Sequence, residues 1–316
     1  MKKELISITL LVFVVVSHAA AQQGDPTIPP PPSAQVSTPI TPPQSFEPFT
    51  QADLEIVTGN VQRPNGIVWY NNFLYTACTG DQTLYEINST SGATLTYIAG
   101  VVNAHTLHAD VMNGNALSLW VPDFGTNELL NITRTRIERI DADLQGPWGI
   151  AALDESRFLI TNLLSSTLAL VSRDGESEIV LDGLASPTGI VIDDDTIYIA
   201  NNGSTRRAIE YFPISIVDGI EAEPEVLVRG LQNTTGLVMG SDGLIYFAYS
   251  LGTRGLVGRV DPDYCRQNGG CTAEDIDIVI YSDLEAPLAG LTISDDMRLY
   301  VHTMFRPEIY WVQIPN

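Results

Sequence analysis

The 316-residue chain carries 16 Lys and Arg against 38 Asp and Glu, and 44% of it is hydrophobic. A net charge of −22 repels phosphate backbones, which argues against nucleic acid as a partner. Its only lysines are Lys2 and Lys3, so nothing beyond the extreme N-terminus can form a lysine Schiff base.

The first predicted element, residues 1–21, is a secretory signal. Lys2 and Lys3 precede the apolar run Leu10 to Val16, and Ala19-Ala20-Ala21 supplies a cleavage site before Gln22. That run is too short to cross a bilayer, so no membrane insertion is expected and the product is expected to be secreted or lumenal. Residues 22–48, with "IPPPPS" and "ITPPQS", cannot bury a core and read as an extended, disordered leader. Residues 49–316 remain for a single domain.

Next comes a strand, "LEIVTG" (Leu54 to Gly59), and then a repeat. "RPNGIVWYNNFLYTA" (Arg63 to Ala77) joins two strands through an Asn-Asn turn, and "LYEIN" and "LTYIAG" follow. A degenerate copy begins at "LHADVMNGNALSLWV" (Leu107 to Val121). Clearer ones are "GPWGIAALDESRFLIT" (Gly146 to Thr161), "SPTGIVIDDDTIYIANNG" (Ser186 to Gly203), "NTTGLVMGSDGLIYFA" (Asn233 to Ala248) and "APLAGLTISDDMRLYVH" (Ala286 to His302). Each unit has four short strands, except the sixth, which runs out at Asn316 one strand short. The pattern predicts an all-β fold: a six-bladed β-propeller with four antiparallel strands per blade. The N-terminal strand at about residues 54–59 completes the last blade, which leaves no open edge at the ring closure. The recurring Pro-x-Gly precedes each innermost strand, where glycine lets crowded backbones approach.

Four sequons, at Asn88, Asn131, Asn202 and Asn233, predict a glycoprotein. Cys265 and Cys271 flank "RQNGG", a short loop that can close into a disulfide in an oxidising compartment. Cys78 reads as a small buried hydrophobe, and Asp193 to Asp195 as a solvated hairpin turn.

In this topology the loops entering the innermost strands share a face with those joining second to third strands. The residue before each glycine is expected at the channel mouth: Asn65, His108, Trp148, Thr188, Thr235 and Ala289. The other loops add Asp123, Phe124, Asn162, Asn201, Tyr249, Arg254, His302 and Phe305, giving aromatic walls with scattered polar groups. In "NAHTLHAD", His105 and His108 read either as an acid/base or ligand pair or as the entry loop of a degenerate blade, with His108 the candidate at the mouth. There is no Gly-x-Ser-x-Gly elbow, phosphate loop or His-Glu-x-x-His.

The repeat, the "PNGIVW" unit and the Leu-Tyr strands resemble the SMP-30/gluconolactonase and NHL-type six-bladed propellers over Leu54 to Asn316. That resemblance implies a divalent cation held by Glu, Asn and Asp in the channel. Asn65 matches one asparagine position, but "QRPNG" stands where the acidic residue belongs, and the other positions carry Trp, Thr, Thr and Ala. With its signal and sequons the chain also looks like the secreted propellers of fungal natural-product pathways, some of which are hetero-Diels–Alderases. The resemblance implies a metal-independent, cofactor-free enzyme acting on a lipophilic small molecule. In that reading Trp148, Tyr249 and Phe305 stack on substrate while Asn65, His108, Thr188 and Arg254 donate hydrogen bonds. Thr235, Phe124, Asp123 and His302 line the remaining wall, and the protein is expected to be monomeric. The alternatives are a calcium-type lactonase and a non-catalytic extracellular binding module.

Overall fold

The computed structural model describes residues 47–112, 116–204, 206–284 and 288–315. The signal and nearly all of the leader lie outside the described residues. The repeats fold as six sheets. Blade one is Pro64–Tyr70, Phe73–Cys78, Thr83–Asn88 and Thr94–Ala99. Blade two is His108–Met112, Ala116–Asp123, Glu128–Thr133 and Arg136–Ile140. Blade three is Pro147–Ala152, Arg157–Asn162, Thr167–Ser172 and Ser177–Leu181. Blade four is Pro187–Asp193, Thr196–Asn201, Ala208–Pro213 and Glu225–Arg229. Blade five is Gln232–Met239, Ile245–Leu251, Arg254–Val260 and Asp277–Tyr281. Blade six is Leu288–Ile293, Arg298–Thr303 and Ile309–Gln313. Glu55–Thr58 pairs antiparallel with Ile309–Gln313 as the fourth strand of blade six, the closure expected from the sequence. The innermost strands pack in succession, and that of blade six packs back on that of blade one.

The Pro-x-Gly motif proves to be a β-bulge. In five blades the register between first and second strands shifts across it, as between Pro147 and Ile150 or Pro187 and Ile190. The extra residue turns the strand where neighbouring blades converge. Glycine is required there because the next blade is too close for a side chain. A Cβ on Gly189 would lie 2.5 Å from the backbone nitrogen of Leu237.

Two elements depart from the sequence reading. Phe49–Thr50 pairs in parallel with Asp277–Tyr281 and covers the outer edge of blade five, which manages an otherwise open strand edge. The connection between the last two strands of blade five contains a helix, Pro262–Gln267. Asp261 caps it, its carboxylate accepting from the N–H groups of Asp263 and Tyr264 at 2.9 and 3.0 Å, and Pro262 occupies the first turn. Cys265 on this helix is joined to Cys271. The Cys271 N–H donates to the Leu227 carbonyl at 2.6 Å, so the disulfide loop is pinned to blade four.

Cys78 is buried, and burial pushes its thiol up to about 12, which agrees with a packing role. Asp194 and Asp195 are exposed at a hairpin turn. Among the described residues no helix is long and apolar enough to cross a membrane.

Candidate functional site

The register of blade two decides which histidine faces the channel. Ala104 forms a bridge with Asp123, as Pro147 does with Asn162 and Pro187 with Asn201. His108 pairs with Trp120, so "AHTL" (Ala104 to Leu107) occupies the place of "PWGI" (Pro147 to Ile150). The mouth residue is therefore His105, not His108. Thr106 stands where the other blades have glycine, so glycine spacing alone does not register this blade. His108 lies three residues down the strand, edge-on to Phe158 at 5.6 Å. It faces a separate groove of about 520 Å³ shared with Asp110, Asp154, Glu155 and Arg173.

His105 and Trp148, from blades two and three, stack with ring centroids 3.3 Å apart and planes 9° from parallel. Phe124 stands edge-on to both, at 5.5 and 6.1 Å. The indole N–H of Trp148 donates to the Thr235 carbonyl of blade five at 3.0 Å, so this side chain reaches past blade four across the mouth. A string of threonine hydroxyls ties adjacent blades just beneath. Thr106 donates to the Trp148 carbonyl at 2.6 Å and Thr161 to that of Thr188 at 2.6 Å. Thr188 donates to Thr234 at 2.7 Å and Thr235 to Leu288 at 2.8 Å. Thr188, the expected donor to substrate, is fully buried, and its hydroxyl, like that of the expected wall residue Thr235, is committed to holding the rim together.

Several expected residues are likewise structural. The fully buried Asp123 carboxylate accepts from the N–H groups of Val102, Asn103 and Gly125 at 2.7, 3.0 and 2.9 Å. Asn162 and Asn201 do the same for their own entry loops, accepting from Gln145 at 3.0 Å and Ala185 at 2.9 Å. Tyr249 packs against Phe247 at 5.5 Å in the core cluster shared with blade four, away from the channel. Arg254 and Phe305 are exposed, with Arg254 paired to Asp283 at 3.2 Å. Their loops do lie on the expected face, but the propeller is wide and these side chains sit on its outer part. Ala289 is buried in its expected position.

The opposite side of the mouth is polar and unfinished. Asn65 donates to the Asn103 side chain at 2.6 Å, while its own buried Oδ1 has no partner. Ser250, Thr303 and Thr234 carry buried hydroxyls without partners. His302 is fully buried and neither ring nitrogen is bonded; the backbone groups of Pro64 and Thr303 lie beside it without completing a good hydrogen bond. Such groups are rare in native interiors, and those gathered at one rim make it the candidate place for a ligand or an ordered water to supply the missing partners. The two halves, aromatic on blades two and three and polar on blades five, six and one, define the candidate site.

Both mouth histidines are neutral. Burial lowers His105 to about 3 and His302 to about 4, from an ordinary 6.5. In the unfolded chain they take up protons below about pH 6.5, whereas the folded protein resists until its own lower values. Their contribution to stability is therefore complete above pH 6.5 and is lost as the pH falls towards 4. Replacing His302 by Gln should flatten the fall of the unfolding free energy between pH 6.5 and 4 by roughly 3 kcal/mol, the equivalent of that shift. Chemical denaturation at several pH values reads it; parallel curves would place His302 in contact with solvent.

Among the described residues no group of three or more His, Cys, Asp or Glu converges. The oxygens a divalent cation would need, on Asp123, Asn162 and Asn201, already accept loop N–H groups. The residues present do not fit a hard cation. A larger concavity, about 670 Å³, lies on the flank between the edge strand Ser177–Leu181 and the segment Ile216 to Pro224. It gathers no set of partnerless polar groups, so the mouth is the better site. Of the sequon asparagines, Asn233 is exposed and Asn88 and Asn131 are half-buried. The Asn202 side chain both donates to and accepts from the Thr234 backbone, at 2.7 and 2.8 Å.

No family model matches the sequence, and no curated protein matches it. Solved structures do. A gluconolactonase from Xanthomonas campestris superposes with a TM-score of 0.63 at 14% identity, over 88% of this chain and 96% of that one. A calcium-binding regucalcin from Agrobacterium tumefaciens gives 0.60 at 14% identity, over 84% and 95%. A streptogramin B lyase gives 0.60 at 13% identity, over 82% and 96%. The chain is thus similar in fold to gluconolactonase- and regucalcin-type six-bladed propellers, the architecture its repeat implies, and also to a lyase of the same fold. At these identities the likeness concerns architecture, and the chemistry rests on the mouth itself.

Proposed function

We propose that the protein is a metal-independent enzyme that holds a lipophilic small molecule at the channel mouth and promotes a cyclisation of the hetero-Diels–Alder type. The observation that carries this reading is the facing pair of walls: stacked His105 and Trp148 with Phe124 on one side, partnerless Asn65 and His302 on the other. A planar, apolar substrate stacks on the first wall; on the second, the N–H of neutral His302 donates to a carbonyl of the substrate and the Asn65 Oδ1 accepts from a hydroxyl. Fixing two reacting ends in one geometry can lower a barrier by several kcal/mol, about 7–11 in favourable cases. Neutral donors in a site of low dielectric stabilise developing charge without reorganising. The chemistry asks for no nucleophile, in keeping with committed threonine hydroxyls and a buried Cys78. The N-terminal signal and the sequons support a secreted protein.

The lactonase reading is favoured only by the gluconolactonase-like architecture, and one experiment separates the two. The purified protein is screened for binding and turnover of lipophilic dienes and enones, and of lactones, with and without chelator. Chelator-insensitive turnover of the former is expected. Chelator-sensitive lactone hydrolysis would establish the lactonase instead, and binding of a macromolecule without any turnover would make the protein a binding module.

A further inference from the structure

We infer that the channel beneath the His105–Trp148 pair is a binding chamber for a compact branched hydrocarbon group bearing one hydrogen-bonding function at its edge. This specifies the substrate class for the mouth site and rests on that reading.

The residue after each glycine, or after Thr106 in blade two, is aliphatic in all six blades: Ile67, Leu107, Ile150, Ile190, Leu237 and Leu291. They retain 5–9% of their surface, whereas neighbouring core residues such as Leu74, Ile160 and Ile199 retain none. That residual surface faces a cavity of about 110 Å³, whose lining includes all six. Such a ring is what a propeller produces when one position of its repeat is apolar throughout. A dry apolar cavity of about 150 Å³ accepts benzene or xenon; this one is smaller and suits four or five branched carbons rather than an aromatic ring.

Polar groups at the chamber are few and mostly engaged. The Thr106 hydroxyl is bonded to the Trp148 carbonyl at 2.6 Å, and that of Thr292 accepts the Trp69 N–H at 3.0 Å. His105 is the one polar side chain of the lining with no hydrogen bond among the described residues. Its imidazole, neutral at working pH, meets one donor or acceptor on an otherwise apolar ligand. Trp148 stacks on that imidazole and donates to the Thr235 carbonyl, so its indole N–H senses a ligand that reaches His105.

The test uses the full chain labelled with ¹⁵N, titrated with 3-methylbutan-1-ol while the indole N–H resonance of Trp148 is followed. A saturable shift is expected, at least tenfold weaker with glycerol and at least tenfold weaker in Ile150→Phe, whose ring occupies the chamber. Xenon should compete with the alcohol in the wild-type protein, a readout that needs no variant to fold. Equal response to glycerol, or no saturable response to either alcohol or xenon, overturns the inference. The outcome is distinguishable from failure of the mouth reading. A chamber that takes alcohol and xenon in a protein that neither binds nor turns over larger lipophilic ligands leaves the inference standing and removes that reading.

Discussion

Replacing Trp148 by alanine should weaken binding of lipophilic small molecules by at least tenfold while leaving the six sheets intact. The indole is the largest surface of the aromatic wall, and stacking of this kind contributes about 0.5–1.5 kcal/mol beyond the area it buries. Its N–H bond to Thr235 spans the mouth from blade three to blade five, so its loss also removes the element that shapes the opening. Trp148 is only half-buried and belongs to none of the six core clusters. The cost to folding should therefore stay near 1–2 kcal/mol, the value of one hydrogen bond and one ring contact. Trp148→Phe, which keeps a ring and loses the donor, should fall between. Titration calorimetry reads the affinity and far-ultraviolet circular dichroism the fold. Binding unchanged in Trp148→Ala would remove this face from consideration.

A single methyl group at Gly149 should destabilise the protein by about 3 kcal/mol or more, at the upper end of overpacking in a rigid core. The added carbon would lie 2.3 Å from the Thr188 carbonyl, 2.9 Å from the Thr161 hydroxyl and 3.0 Å from Ile190. Nothing there is the free end of a flexible side chain. The Thr161 hydroxyl accepts the Gly149 N–H at 2.8 Å and donates to Thr188 at 2.6 Å, so it bridges blades three and four. Relieving the clash means parting those blades and breaking the bridge. With about 2–4 °C per kcal/mol for a chain of this size, the melting temperature should drop by about 6 °C or more. Gly59→Ala is the matched control, since its added carbon meets nothing nearer than Glu308 at 4.0 Å, and its effect should stay within about 0.5 kcal/mol. Equal melting temperatures for the two variants would mean the inner strands are looser than the packing implies.

The blade count, the strand closing the ring and the disulfide were all legible in the residues, because each depends on local periodicity or short spacing. Alternation marks a strand, Asn-Asn or Asp-Asp marks its turn, and Cys265 and Cys271 are six residues apart. The helix at Pro262 also carries a signal, Asp261 followed by proline, in a stretch that the sequence reading treats only as a disulfide loop. Trp148 and Asn65 lie one residue before their blade's glycine, the position that a glycine-anchored register gives them, because such a register carries through an intact repeat. What the sequence could not settle was where a degenerate copy begins, or what each rim group is bonded to. His105 displaces His108 because the bridge between Ala104 and Asp123 sets the register of blade two, and that pairing joins segments 19 residues apart. The threonines are spent because their acceptors are backbone carbonyls, most of them on the next blade, and His302 is left bare because its surroundings come from blade one as well as its own. Hydrogen-bond satisfaction is a property of the assembled interior, not of any segment. Composition and period therefore determined the frame of this protein, and only the packing of blade against blade decided which side chains remain free to meet a ligand.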